Sequence, residues 1–313
     1  MISPDNFPTP ALALRSTDPV EVDRVTYFAR HQANAAEDLR RQLLATDWPG
    51  LPLKRRIVML RASFTTLVQW RYGLARQAPG RIGVGIPLDA DRFRLSMREA
   101  GPNFDRLGYT GRLRAGAQWD AVSRTYVGGQ DTPASRIILA YGNAALDRFA
   151  AEAPDGEVLQ NVVALPDGTR VNGNRLVRRA AADQIGVNLL RRIATRGHDA
   201  SRIEVGGGPI YAVTAAADDA DVLYAEALRL LAQACELRRE QRIRAWQTAR
   251  YLLYQGPRTK KGSDAVIRAF LVAVGSVLLY QVPTIEHDAD LRCMVLGQPA
   301  ATTMPADAAL YPR

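Results

Sequence analysis

Residues 256–268 read GPRTKKGSDAVIR, and the groups in this stretch are of the kinds that hold and turn over anions. Lysine occurs at positions 54, 260 and 261 alone, with arginine supplying the rest of the 41 basic residues, so the adjacent pair Lys260 and Lys261 stands out. An ammonium is a compact, rotatable point charge that meets phosphate oxygens differently from the planar fork of a guanidinium. Residues 265–275 predict a helix apolar on nearly every side, and such a helix must be buried. Its start, with unpaired N–H groups and a partial positive charge, is then held in place by the surrounding protein, which is the geometry of an anion site. Arg258, Lys260, Lys261, Gly262 and Ser263 are therefore the candidate substrate-binding residues, and Asp264 and Arg268 the candidate catalytic ones. Two of these side chains also have structural work available. Ser263 or Asp264 can cap the helix by accepting a backbone N–H bond. Arg268, one turn inside a greasy helix, needs a partner, which is either a carboxylate of the protein or a bound phosphate or carboxylate.

Further acid and base groups are few. Tyr251 and Tyr254 lie one helix upstream, and Glu286, His287, Asp288 and Asp290 cluster carboxylates around one histidine. Hard oxygen ligands of that kind suit a divalent ion, but the spacing matches no defined cation loop, so no metal is assigned to it. The chain lacks GxxxxGK[ST], HExxH and GxSxG, and it has no cysteine and histidine in catalytic spacing. A GxG within RIGVGIP (residues 81–87) has no third glycine and no strand before it, as a dinucleotide fold would require.

A helix, a loop holding glycine and a small polar residue, and then an arginine deep in a buried helix: this order resembles the active-site segment of the Fic/Doc superfamily, HPFxxGNxRxxR. Aligned without gaps, Gly262 matches the glycine, Ser263 stands at the asparagine and Arg268 matches the last arginine. Pro257 occupies the histidine position and Ala265 that of the first arginine. The resemblance covers residues 200–281 and implies a Fic-like core segment, phosphate binding at the loop, and a nucleotide accompanied by a divalent metal. Because the family's histidine is its general base, a different base or a different reaction is implied here.

These groups must be positioned by the rest of the chain. With 313 residues and 47% hydrophobic content, the chain can bury one large core. The net charge is +9. Between Glu236 and Lys261 eight basic residues face two acids, and a second acid-free stretch at residues 48–88 carries Lys54, Arg55, Arg56, Arg61, Arg71, Arg76 and Arg81. Such stretches favour an acidic macromolecule, although they lack the interleaved aromatics of a nucleic-acid domain. Two cysteines, Cys235 and Cys293, form no framework and point to a reducing, cytoplasmic setting. The first residues lack a secretory signal pattern, and the greasiest segment, residues 265–282, is interrupted by Arg268 and falls short of a membrane span.

Taken in order, residues 1–16 predict a Pro-containing extended arm. Helices follow over residues 18–44 and 53–76, with a short one at 90–100 and irregular chain through residues 102–116. Residues 119–126 fit helix or strand. A helix opens at Thr132 and Pro133, and a hairpin turns on Pro166, Asp167 and Gly168. A helix is expected over 174–195, and a second hairpin over 202–205 and 210–214, either a flap beside the site or an ordinary surface hairpin. Helices follow from Asp218, over 241–255 and from Ser263. Residues 291–296 predict a short strand and 298–313 a loosely ordered tail. The expectation is a single, mainly α, multi-helix globular domain with one or two β-hairpins. The functional expectation is a transferase-like enzyme acting on a phosphorylated small molecule or nucleotide. The alternative is a non-enzymatic protein gripping an acidic partner or nucleic acid.

Overall fold

The structure is a computed structural model that describes residues 1–78, 82–83, 86–87 and 89–311. The RIGVGIP stretch, with its GxG motif and Arg81, lies in large part outside them. In chain order the helices are α1 (Pro19–Thr26), α2 (Phe28–Ala45), α3 (Leu53–Gln77), α4 (Met97–Ala100), α5 (Pro133–Glu152), α6 (Arg179–Thr195), α7 (Ala217–Ala234), α8 (Arg239–Gln255), α9 (Ser263–Leu278), α10 (Ala289–Val295) and α11 (Gln298–Thr302). The strands are β1 (Ile82–Gly83), β2 (Ile86–Pro87), β3 (Phe104–Leu107), β4 (Gln118–Asp120), β5 (Thr125–Val127), β6 (Val158–Ala164), β7 (Arg170–Val177) and β8 (Ile210–Val213).

The fold is mainly helical, and α9 is its axis. Thirteen of its 16 residues are buried, and it packs against α2, α3 and α8. Phe270 meets Phe64 of α3 edge-on at 5.3 Å between ring centroids, and Phe64 meets Tyr224 of α7 at 5.2 Å. The approach of α8 is close because position 275 has no side chain: a Cβ there would stand 2.7 Å from the Trp246 indole nitrogen. That nitrogen donates to the Leu271 carbonyl at 3.0 Å, satisfying the one polar atom of a buried indole.

Against this helical core lies an antiparallel sheet in the order β3-β8-β7-β6, with α5 and α10 covering it through Ile138, Phe149, Leu291 and Val295. The sheet departs from the expectation of isolated hairpins. The β6–β7 hairpin forms at the expected turn, but β7 runs to Val177, so the helix expected from residue 174 starts instead at Arg179. β8 pairs with no strand at 202–205. It lies between β3 and β7, with Phe104 opposite Val213 and Val177 opposite Tyr211. All four of its side chains are buried, which a surface hairpin could not offer. Residues 118–127 form the small hairpin β4–β5.

Both terminal regions differ from the loose segments expected. Residues 1–16 hold two 3-10 turns, Pro4–Asn6 and Ala11–Ala13, and Ile2 and Phe7 enter the core. The segment expected as a strand at 291–296 is α10. The tail forms α11 and a 3-10 turn, Pro305–Leu310, tied down by an ion pair in which the Asp307 carboxylate accepts from both terminal nitrogens of Arg250 at 2.7 Å. Ala301, Met304 and Leu310 of this segment also enter the core.

Candidate functional site

The start of α9 opens onto a cavity of about 690 Å³, walled by the Ala90–Phe93 turn, β3, the end of α6 and α10. The loop before α9 is fixed by backbone bonds to the α4 region. The Lys260 N–H donates to Leu95 at 3.1 Å, the Lys261 N–H to Arg92 at 3.1 Å, and the Met97 N–H to Arg258 at 3.2 Å. Gly262 is the N-cap of α9 with φ 75°. A Cβ there would lie 2.6 Å from a ring carbon of Phe93 and 2.9 Å from Cγ of Arg71, whose guanidinium sits 4.2 Å above the Phe93 ring. Burial lowers Arg71 to about 10. Gly262→Ala is expected to lower stability by about 1–3 kcal/mol, through left-handed strain and this clash, and a urea unfolding midpoint measures it.

The expected site residues divide into two groups. Lys260, Lys261, Gly262, Ser263 and Asp264 all line the cavity. Arg258 does not: it pairs with Asp221 and lies 4.8 Å over the Tyr224 ring, on the other side of the loop. Ser263 is the first helical residue rather than the cap, and its hydroxyl donates to the Thr259 carbonyl at 3.0 Å, closing the loop. Asp264 makes no capping bond either. Its carboxylate accepts from the Tyr254 hydroxyl at 2.9 Å and from Nε of Arg268 at 2.8 and 2.9 Å. Arg268 is fully buried, absent from the cavity wall, and donates a further bond to the Ile285 carbonyl at 3.1 Å. Its partner is thus a carboxylate of its own helix, and the guanidinium expected to be catalytic lies behind the cavity wall, bonded to Asp264, rather than on it.

Two more carboxylates face the cavity. Asp290 opens α10 and has an oxygen that is buried without a hydrogen-bond partner. Burial, then the neighbouring charge of Asp264, pushes its carboxyl up to about 7, against the pull of Arg268. Asp105, on β3, is an exposed residue that lines the cavity, and desolvation by the protein around it raises its carboxyl, against Lys260 and Arg112. Asp290 belonged to the acid cluster singled out in the sequence. Nothing in the sequence marked Asp105, which lies in a glycine-punctuated stretch without periodicity.

The cavity wall is also cationic. The Lys260 ammonium donates to the carbonyls of Gly101 and Pro102 at 2.9 and 2.8 Å. Burial, then Arg192 and Arg92, lowers it to about 8. Lys261 is lowered by burial, then by Arg92 and Arg15. In all, eight basic side chains and four carboxylates line the space.

Elsewhere, polar groups serve the fold. Glu286, His287 and Asp288 bring ligand atoms within 4.8 Å of one another. Asp288, however, accepts from Tyr141 at 2.6 Å and from Arg292 at 3.3 Å, while Glu286 accepts from the Ala306 N–H at 2.6 Å. These bonds fasten the chain, and no metal is assigned there. The basic stretches are divided: Lys54, Arg55, Arg61, Arg76, Arg238, Arg239 and Arg244 are exposed, while others are tied into the fold. Arg56 pairs with Glu236, Arg250 with Asp307, and Arg242 donates to the carbonyls of Cys235, Leu237 and Leu278. Compared with known protein families and curated proteins, the chain matches none. No helix of the described residues is long and apolar enough to cross a membrane.

Proposed function

We propose that the chain is a transferase-type enzyme for a phosphorylated or nucleotide substrate, built on a diverged Fic-like core. The observation that carries this reading is the meeting, in one cavity, of cationic side chains beside a helix start with a cluster of carboxylates. Phosphate oxygens fit the Lys260 and Lys261 side, where the N–H groups of α9 add their dipoles. The substrate's acceptor or leaving group then faces Asp264, Asp290 and Asp105. Electrostatic positioning is the larger part of such catalysis, because an anion held in a low-dielectric cavity needs little reorganisation. A carboxyl titrating near 7 is matched to taking or giving a proton at neutral pH. Asp290 fills this role where the Fic-like pattern has its histidine and this chain has Pro257. A divalent cation enters this reading as the counter-ion of the phosphates.

A thermal-shift screen of nucleotides, sugar phosphates and orthophosphate tests the proposal on the wild type and on Lys260→Ala/Lys261→Ala. At a hundred times its Kd, a ligand bound to the folded state alone adds about 2.7 kcal/mol. The expected result is a raised Tm with at least one phosphorylated compound, lost in the double variant. If no compound shifts the wild type, or if the shift survives in the variant, the reading fails.

A further inference from the structure

The second half of α6 carries Leu189, Arg192, Ile193 and Arg196, spaced as one face of a helix, and all four line the cavity. A helix ordinarily turns such a stripe onto a core. Here, of 17 residues, Ala182 and Gly186 are the buried ones, and both lie in the first half. Arg192 donates to the Ala100 carbonyl at 3.1 Å, tethering this end. The guanidinium groups of Arg196 and Arg92, which line the same cavity, form no hydrogen bond or ion pair with another described residue.

The cations facing this space oppose one another. Arg196 and Arg192 bear on Arg92, while Arg192, Arg92 and Arg196 bear on Lys260. Lys261 joins through Arg92. Two acids act against this crowding, Asp89 on Arg92 and Lys261, and Asp105 on Lys260. Like charges enclosed together are costly, and a single orthophosphate can reach few of them at once. A ligand with several linked anionic groups reaches the whole row.

We infer that Lys261, Arg92, Lys260, Arg192 and Arg196 form a subsite for a condensed phosphate chain, a diphosphate or longer, with the second half of α6 as the wall that reads its length. The inference rests on the anion site proposed above and assigns its substrate class.

Isothermal titration of the full chain with orthophosphate, pyrophosphate and tripolyphosphate tests it, using the wild type, Arg196→Ala and Arg192→Ala/Arg196→Ala. Arg196 is exposed, so its replacement leaves the core intact. Pyrophosphate is expected to bind at least about tenfold more tightly than orthophosphate, tripolyphosphate at least as tightly again, since each charge-assisted contact is worth about a factor of ten or more. In Arg192→Ala/Arg196→Ala the pyrophosphate advantage is lost while orthophosphate binding holds, and Arg196→Ala shows part of the loss. Equal wild-type affinity for pyrophosphate and orthophosphate, or equal weakening of all three anions in the variants, overturns the chain-length inference. In both of those cases orthophosphate binding that depends on Lys260 and Lys261 leaves the anion site standing. Absence of binding by all three anions overturns both.

Discussion

Asp307→Ala is expected to destabilise the protein by about 3–5 kcal/mol, with a fall in Tm on the order of 5–10 °C. Arg250 and Asp307 are both buried, at 0% and 1% exposure, and their ion pair is bidentate. The same carboxylate accepts from the Gln247 amide at 2.9 Å and from the Met304 N–H at 2.8 Å. Removing it strands a guanidinium in the core beside Trp246, 4.9 Å from its ring, with the Thr302 carbonyl as its remaining acceptor. A cation cannot be solvated there, and the tail loses the bond that closes its last turn. Replacing both partners, as Arg250→Met/Asp307→Leu, is expected to recover much of the loss, because two apolar groups leave no orphan charge. Chemical unfolding measures both. A loss under about 1 kcal/mol for Asp307→Ala would mean that water reaches the guanidinium.

Asp290→Asn is expected to stabilise the protein by about 1–3 kcal/mol at pH 8 and to have little effect near pH 4. The folded carboxyl titrates near 7, above its ordinary range, because burial and Asp264 disfavour its charge. Its contribution is therefore fully present below the unfolded carboxyl's pKa and is lost as the pH rises through about 7. Over that interval the unfolded chain ionises freely while the folded one resists. Asparagine keeps the neutral shape and removes the resistance. Unfolding curves of the two proteins from pH 4 to 8 should diverge upward through that range. Parallel curves would show that Asp290 ionises in the folded protein as readily as in water, and Asp290 would lose its case as a proton carrier.

The parts of the molecule legible in the sequence are those where local pattern and tertiary context agree. The periodicity of α3, the Thr132 cap of α5 and the apolar run of α9 each lead to the observed element, and the placement of Lys260, Lys261 and Gly262 at the mouth of a buried helix follows from them. What escaped depends on partners far away in the chain. β3 is four residues without turn chemistry or alternation, and it becomes a strand because β8 pairs with it. Asp105 rides on that strand, so its place in the cavity was equally hidden. Arg268 was open between a ligand and a carboxylate, and the spacing to Asp264, one helical turn, held the answer. On α6, Leu189 and Ile193 fall on one helical face, and periodicity alone does not distinguish a face that meets a core from one that lines a cavity.

The seating of β8 has a consequence for the order of assembly. It joins β3, where Phe104 faces Val213, to β7, where Val177 faces Tyr211, so both contacts wait on loop closures far longer than those that pair β6 with β7. The α9 core waits on long closures too, since α2 and α3, against which α9 packs, precede it by most of the chain. Until β8 is in place, Asp105 has no fixed station near Lys260, and the cavity lacks the part of its wall that β3 supplies. A ligand that needs this wall meets it only in the completed sheet, so binding holds the finished fold together and does not guide the chain towards it.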